Sequence, residues 1–293
     1  MAFNSYMKHC RLYLNGKPFP AIVYSVASWA ALLGIGRIKT KTIKGYICGL
    51  RSAHIDRGYS DYVAFDSPLL LRVIRGIKRR QGDDVTCERK AITRNVLLDV
   101  LSTFDISRRS GATLHAAFCL AFAGFLRAGE FTWEARDRED PDFTDWFVTR
   151  SSIRLFADKL EFDIPASKTD PFRKGVTLKI VAAGDAGCAV ASLRNLFTVA
   201  SALPKESLFD TGDGAFNKKR ITDVLRLKLQ SLGYGGHYAS HSFRRGAATE
   251  ARNAGVPEAM IMLLGRWKSD AYLRYIEINP VLVLQASRRH QGR

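Results

Sequence analysis

Apolar residues recur along this chain at two periods, and the alternation between them divides it. Phe3, Tyr6, Met7, Cys10, Tyr13 and Leu14 fall at helical spacing, which puts them on one face of a helix. Ile22, Val23, Val26, Trp29, Ala30 and Leu33 repeat the pattern, and Gly34 and Gly36 are expected to stop it. A third helix is predicted from a Thr42 cap through Ile43, Tyr46, Ile47, Leu50 and His54. A fourth opens at Ser67-Pro68 and runs through Leu69, Leu70, Val73, Ile74 and Ile77, since proline lacks only an N–H that the first turn leaves unused. Four short helices predict a small bundle over residues 1–82. The polar, aperiodic stretch from Gln81 to Lys90 reads as a connection between domains, centred on residues 83–91.

Beyond it, Thr93 caps a helix through Val96, Leu97, Val100 and Leu101, and Leu114, Ala117, Phe118, Ala121, Phe122 and Phe125 predict a strongly apolar one. The period then shortens. Ser152–Leu155, Leu160–Ile164 and Val176–Val181 alternate or run apolar at strand length, which predicts a small antiparallel sheet. Helical spacing returns over Ala189–Ser201, Asn217–Leu232, His241–Asn253 and Met260–Leu264, followed by a short helix or turn over Asp270–Ile276. The fold class is therefore mainly α with a small antiparallel β-sheet, an α+β chain of two domains. The second spans residues 92–293 and includes a tail that is apolar from Val281 and basic at its end.

Charge narrows the partners. The 293 residues carry 45 Lys and Arg against 28 Asp and Glu, a net +17, which favours a polyanion. Residues 1–87 hold 14 of the basic and 5 of the acidic residues, so the smaller domain carries over half the excess. Arg72, Arg75 and Arg79 recur at helical spacing beside Lys78 and Arg80, and Lys39, Lys41, Lys44 and Arg51 line the third helix. A solvated face is the plainer reading. The scarcity of nearby carboxylates argues instead for contact with a DNA backbone, which gives affinity without sequence choice.

No run of eighteen apolar residues predicts a membrane span. Met1–Tyr13 lacks the apolar centre of a secretory signal, so the chain is expected to be intracellular and not secreted. Cys10, Cys48, Cys87, Cys119 and Cys188 are odd in number and widely spaced, and read as reduced thiols. Asp137, Glu139, Asp140, Asp142 and Asp145 are of a type that collects divalent metal, but they crowd one Pro-containing stretch and are expected to form a solvated loop. No metal and no cofactor are expected.

Candidate chemistry lies in the second domain. Arg127 closes the apolar helix, where an arginine is costly unless paired, with Glu130 the nearest partner, or functional. Lys168 lies on the hairpin between the last two strands. His241 and Arg244 stand three apart and share a helical face, where imidazole and guanidinium together can hold a phosphate. A tyrosine downstream, Tyr272 or Tyr275, could supply a nucleophile.

In order, Arg127, Lys168, His241-x-x-Arg244, Trp267 and Tyr275 resemble the pattern of the tyrosine recombinase (phage integrase) family. The resemblance covers nearly the whole chain. It implies that residues 1–82 are a helical core-binding, SAM-like domain and that 92–293 are catalytic. It also implies that DNA strands are cut and rejoined through a 3′-phosphotyrosine without metal, on double-stranded DNA, by a homotetramer holding two duplexes. Arg127 and Arg244 would then neutralise the phosphate, Lys168 would protonate the leaving oxygen and His241 would assist proton movement. Trp267 would hydrogen-bond the phosphate, Tyr275 would attack, and Arg245 would contact the backbone. Family members usually place the nucleophile nine residues beyond a histidine, and nine before Tyr275 is Arg266, so Arg266 is the alternative to Trp267. Tyr272 is the alternative nucleophile. The wording around Gly265-Arg266-Trp267, Ser167-Lys168-Thr169-Asp170 and Arg75–Arg79 resembles recombinases of eukaryotic mobile elements. That implies a nuclear protein in a eukaryotic host and a cytoplasmic one otherwise. Competing readings are an inactive DNA-binding descendant of a mobile element and a type IB topoisomerase-like enzyme.

Overall fold

Helical spacing in the first eighty residues produces α1 (Ala2–Tyr13), α2 (Val23–Ile35), α3 (Thr40–Ile55), the single-turn α4 (Val63–Asp66) and α5 (Pro68–Gln81). The computed structural model describes residues 2–14, 16–60, 63–82, 89–165, 172, 174–277, 284, 287 and 288. Its chain divides into two compact units, residues 1–86 and 87–293.

The first unit closes around Tyr6, Val26, Trp29, Ala30, Ile43, Leu50 and Leu70. Tyr6 and Trp29 meet edge to face at 5.3 Å. Their polar ends are also satisfied: the Tyr6 hydroxyl lies 2.7 Å from Ser25 Oγ, and Trp29 Nε1 donates to Ser5 Oγ. Two boundaries differ from expectation. α3 starts before Thr42, because the amides of Thr42 and Ile43 already bond to the Lys39 carbonyl. Gly34 does not end α2 but lies within it. A Cβ there would stand 2.8 Å from Ile77, so this glycine lets α5 pack close. The α5 start follows the sequence, with Ser67 Oγ accepting from the Leu69 amide.

The second unit runs α6 (Arg94–Leu101), α7 (Arg109–Ala123), α8 (Phe143–Trp146), β1 (Ile153–Leu155), β2 (Lys159–Ile164), β3 (Val176–Val181), α9 (Ala189–Val199), α10 (Lys218–Ser231), α11 (His241–Asn253) and α12 (Glu258–Gly265). A 3₁₀ turn over Asp270–Tyr275 follows. The strands form an antiparallel sheet in the order β1-β2-β3, with Leu160 opposite both Leu155 and Ile180. Burial alternates along β2, and Leu160, Phe162 and Ile164 enter the core. The expected mainly helical fold with a small antiparallel sheet is the one found. The acidic stretch 135–145 is not a structureless loop. It folds into a 3₁₀ turn over Ala135–Glu139 and the short α8, pinned where Phe143 stacks on Phe147 at 4.9 Å and meets Trp133 edge-on. No single helix among the described residues is long and apolar enough to cross a membrane.

α11 crosses the unit's centre, and one glycine permits it. The Ile92 amide donates to the Ser242 carbonyl at 3.1 Å, and a Cβ on Gly246 would lie 1.7 Å from the Ile92 carbonyl oxygen. Backbone cannot yield as a flexible side chain would. Gly246→Ala is therefore expected to destabilise the protein by about 3 kcal/mol, the upper end for overpacking. Urea unfolding followed by far-UV circular dichroism measures this, and a loss under about 1 kcal/mol would contradict the close approach.

Candidate active site

Two helices end near one another in the same unusual way. At the end of α7 the Phe125 amide donates to the Phe122 carbonyl and the Leu126 amide to the Ala121 carbonyl. At the end of α12, Arg266 donates to Leu263 and Trp267 to Met262. Both are Schellman turns, which need one residue in left-handed conformation. Glycine normally fills that place, yet here it is Phe125 (φ 50°) and Arg266 (φ 57°), each just after a glycine. A left-handed non-glycine residue costs roughly 1–2 kcal/mol, and such strain concentrates where geometry serves a site.

The turns aim carbonyls at Arg244. Its guanidinium is fully buried and donates through Nη1 to the Phe125 carbonyl and through Nη2 to the Gly265 carbonyl. The Trp267 ring lies over it, 4.0 Å from Cζ to the ring centre, a cation–π contact strengthened by burial. Gly265 makes room for that ring, because a Cβ there would stand 1.7 Å from Trp267 Cζ3. Arg244 Nε is buried without a hydrogen-bond partner. Burial, with Arg127 and Arg266 nearby, pulls the Arg244 pKa down to about 9, so the group stays charged at neutral pH.

Arg127 caps a 3₁₀ turn over Ala128–Glu130 rather than the apolar helix, which ends four residues earlier. It pairs with Glu130 at 2.8 Å, and Glu130 in turn accepts from Arg266 at 2.6 Å. Arg266 also donates to the Gly124 carbonyl at 3.0 Å, which bolts the two turns together. Arg127 and Arg266 therefore share one carboxylate, and with Arg244 beside them the poorly solvated site holds an excess of two positive charges. Such a site favours an anion with several oxygens. Sequence reasoning foresaw the Arg127–Glu130 pair but missed that Glu130 serves Arg266 as well; the Arg-x-x-Glu spacing signals only the first.

His241 opens α11, and its Nδ1 is buried without a partner. Burial first, then the cations of Lys218, Arg89, Arg244 and Arg127, lower its pKa, so the imidazole is neutral at neutral pH and able to take a proton. Tyr275 is half-buried, its ring 6.4 Å from His241 and 5.4 Å from Trp267. Tyr272 is buried against Trp267, and the nearby Glu258 carboxylate raises its pKa. Five expected residues thus come together: Arg127, His241, Arg244, Trp267 and Tyr275. Lys168, on the segment joining β2 to β3, lies outside the described residues.

Arg245 is mostly buried and spends its donors on Glu277 and the Arg274 carbonyl. In the first unit Lys41, Lys44, Arg72, Arg75 and Arg79 are exposed, and Arg51 is half-buried with Asp66 3.3 Å away.

No protein-family model matches this chain, and neither does any curated protein. Solved structures do. The XerH site-specific recombinase bound to palindromic difH substrate, in a post-cleavage complex, superposes with a TM-score of 0.61 at 12% identity, over 98% of this chain and 76% of that one. The Tn1549 transposon integrase in complex with transposon right end DNA gives 0.59 at 14%, over 100% and 99%. A lambda integrase dimer bound to a COC′ core site gives 0.55 at 17%, over 94% and 87%. The fold is that of the tyrosine recombinases, and the likeness extends over both units of the chain.

Proposed function

We propose that this chain is a site-specific DNA recombinase or integrase that cuts and rejoins strands through a covalent 3′-phosphotyrosine. Residues 1–82 serve as its core-binding domain and 92–293 as its catalytic domain, and four copies hold two duplexes. One observation carries the reading. Arg244, His241, Trp267 and Tyr275 converge with Arg127 on one cationic site, in a fold shared with recombinases solved on DNA.

The chemistry follows from the charges. Tyr275 Oη attacks the phosphorus as its proton passes to neutral His241, and the P–O5′ bond breaks. The tyrosine becomes esterified to the 3′-phosphate, and the 5′ oxygen leaves with a proton from Lys168. Phosphodiester energy is kept in the new ester, so a hydroxyl from another strand can reverse the step. Charge gathering on the non-bridging oxygens meets the fixed guanidiniums of Arg127 and Arg244, already desolvated and oriented before reaction. The orphaned Nε of Arg244 offers a further donor. The exposed cations on α3 and α5 hold the duplex backbone and make binding salt-dependent.

The test uses nicked suicide duplexes from a random library, in EDTA. A denaturant-resistant adduct is expected. Trypsin cuts after Arg274 and so separates Tyr272 from Tyr275, and mass spectrometry should find the nucleotide on the peptide beginning at Tyr275. Salt-sensitive binding without an adduct would indicate the inactive DNA-binding protein instead. Supercoil relaxation by a lone subunit without strand exchange would indicate the topoisomerase-like enzyme.

A further inference from the structure

The segment carrying Tyr275 is fastened by residues that take no part in the chemistry above. Arg245 and Thr249 stand four apart on α11 and share a face. Arg245 Nη1 donates to the Arg274 carbonyl at 3.0 Å. Thr249 Oγ1 donates to the Tyr275 carbonyl at 3.3 Å and accepts from the Glu277 amide at 3.0 Å. Glu277 closes the arrangement, its Oε1 accepting from Arg245 Nε at 3.1 Å and from the Ala91 amide at 2.7 Å. Ala91 belongs to a short segment that runs beside the approach to α11: Lys90 donates to the His237 carbonyl and Ile92 to that of Ser242. One carboxylate oxygen therefore joins the tyrosine segment, the helix of His241 and Arg244, and the chain leading in from the first unit.

We infer that Glu277, together with Arg245, is a positioning residue that fixes Tyr275 for attack and couples it to residues 89–92. The inference rests on the recombinase reading above. Tyr272 and Ile276 anchor the segment in the core, but apolar burial is non-directional and sets depth rather than rotation. The directional contacts at 274, 275 and 277 come from Arg245, Thr249 and Glu277. A cavity of about 800 Å³, bordered by Lys90, Thr93, Tyr234, Tyr238 and Ile276, adjoins the latch and gives the segment room to shift once released. A displacement of residues 89–92 reaches Tyr275 through the same carboxylate.

Single-turnover cleavage of the suicide duplex by full-length protein tests this. Glu277→Ala should slow adduct formation about 10- to 100-fold, the cost of a misplaced reacting group. Its DNA affinity should stay within about two-fold, since an acidic side chain neutralises no phosphate. Glu277→Gln keeps an acceptor for the Ala91 amide and should fall between; it carries the test if the alanine variant unfolds. Arg245→Glu or Glu277→Arg alone should cleave slowly, and the two together should recover at least part of the rate, which a merely destabilising change would not allow. Wild-type cleavage by Glu277→Ala, or an exchanged pair no faster than either single change, overturns the inference. If the wild-type protein forms no adduct on Tyr275, the recombinase reading fails instead. Amide hydrogen exchange then decides the latch by itself: faster exchange at residues 274–277 in Glu277→Ala supports it, and unchanged exchange overturns it.

Discussion

Tyr275→Phe is expected to abolish the covalent protein–DNA adduct, and Tyr272→Phe to leave it. Phenylalanine keeps the ring that packs 5.4 Å from Trp267, so the site retains its shape and loses only the attacking oxygen. Tyr275 has what a nucleophile needs: partial exposure, a neutral imidazole beside it, and the Arg244 guanidinium carbon 5.9 Å from its ring centre. Tyr272 has the reverse. Its ring is core, and the nearby Glu258 carboxylate favours the protonated phenol. The Tyr272 change should therefore lower the melting temperature modestly and leave cleavage near wild type. Denaturing gels with a labelled suicide duplex measure both. An adduct that survives Tyr275→Phe would remove this residue from the mechanism.

Arg244→Lys should reduce cleavage by about 10³-fold, although the charge is kept, at the upper end of what removing one oriented donor costs. The guanidinium spans two turns, with one nitrogen on the Phe125 carbonyl, another on the Gly265 carbonyl and its flat face under Trp267. An ammonium is compact, has no face to stack and cannot bridge both carbonyls while keeping a donor for phosphate. One buried carbonyl is then left unpaired, at about 1–3 kcal/mol of stability. Duplex binding should change little, because the net charge is unaltered and the exposed cations proposed to hold the backbone lie on α3 and α5. Single-turnover rates, equilibrium binding and thermal unfolding on the same variant separate these effects. Cleavage within about ten-fold of wild type would mean that charge alone, without the fork geometry, suffices.

Local periodicity accounts for what the sequence revealed of the fold. β3 was legible to its ends because period-2 alternation is read over a few neighbours, and α11 placed His241 and Arg244 on one face for the same reason. Features that depend on distant partners were not legible. Gly34 looks like a helix stop until Ile77 is seen against it. Four-residue α4 is too short to show a period. Arg245 carries the same charge on paper whether it faces a phosphate or Glu277.

The candidate site divides along the same line. By itself the sequence determined the residue types, their order and the helix that holds two of them, because these depend on composition and nearest-neighbour spacing. Counting residues could not separate Arg266 from Trp267, which are adjacent. The tertiary structure decided their placement: a left-handed turn after Gly265 sends Arg266 to Glu130, 136 residues away in the chain, and folds Trp267 back over Arg244. That choice is made by which buried charges must be paired and which ring has room to pack, and both are properties of the folded interior.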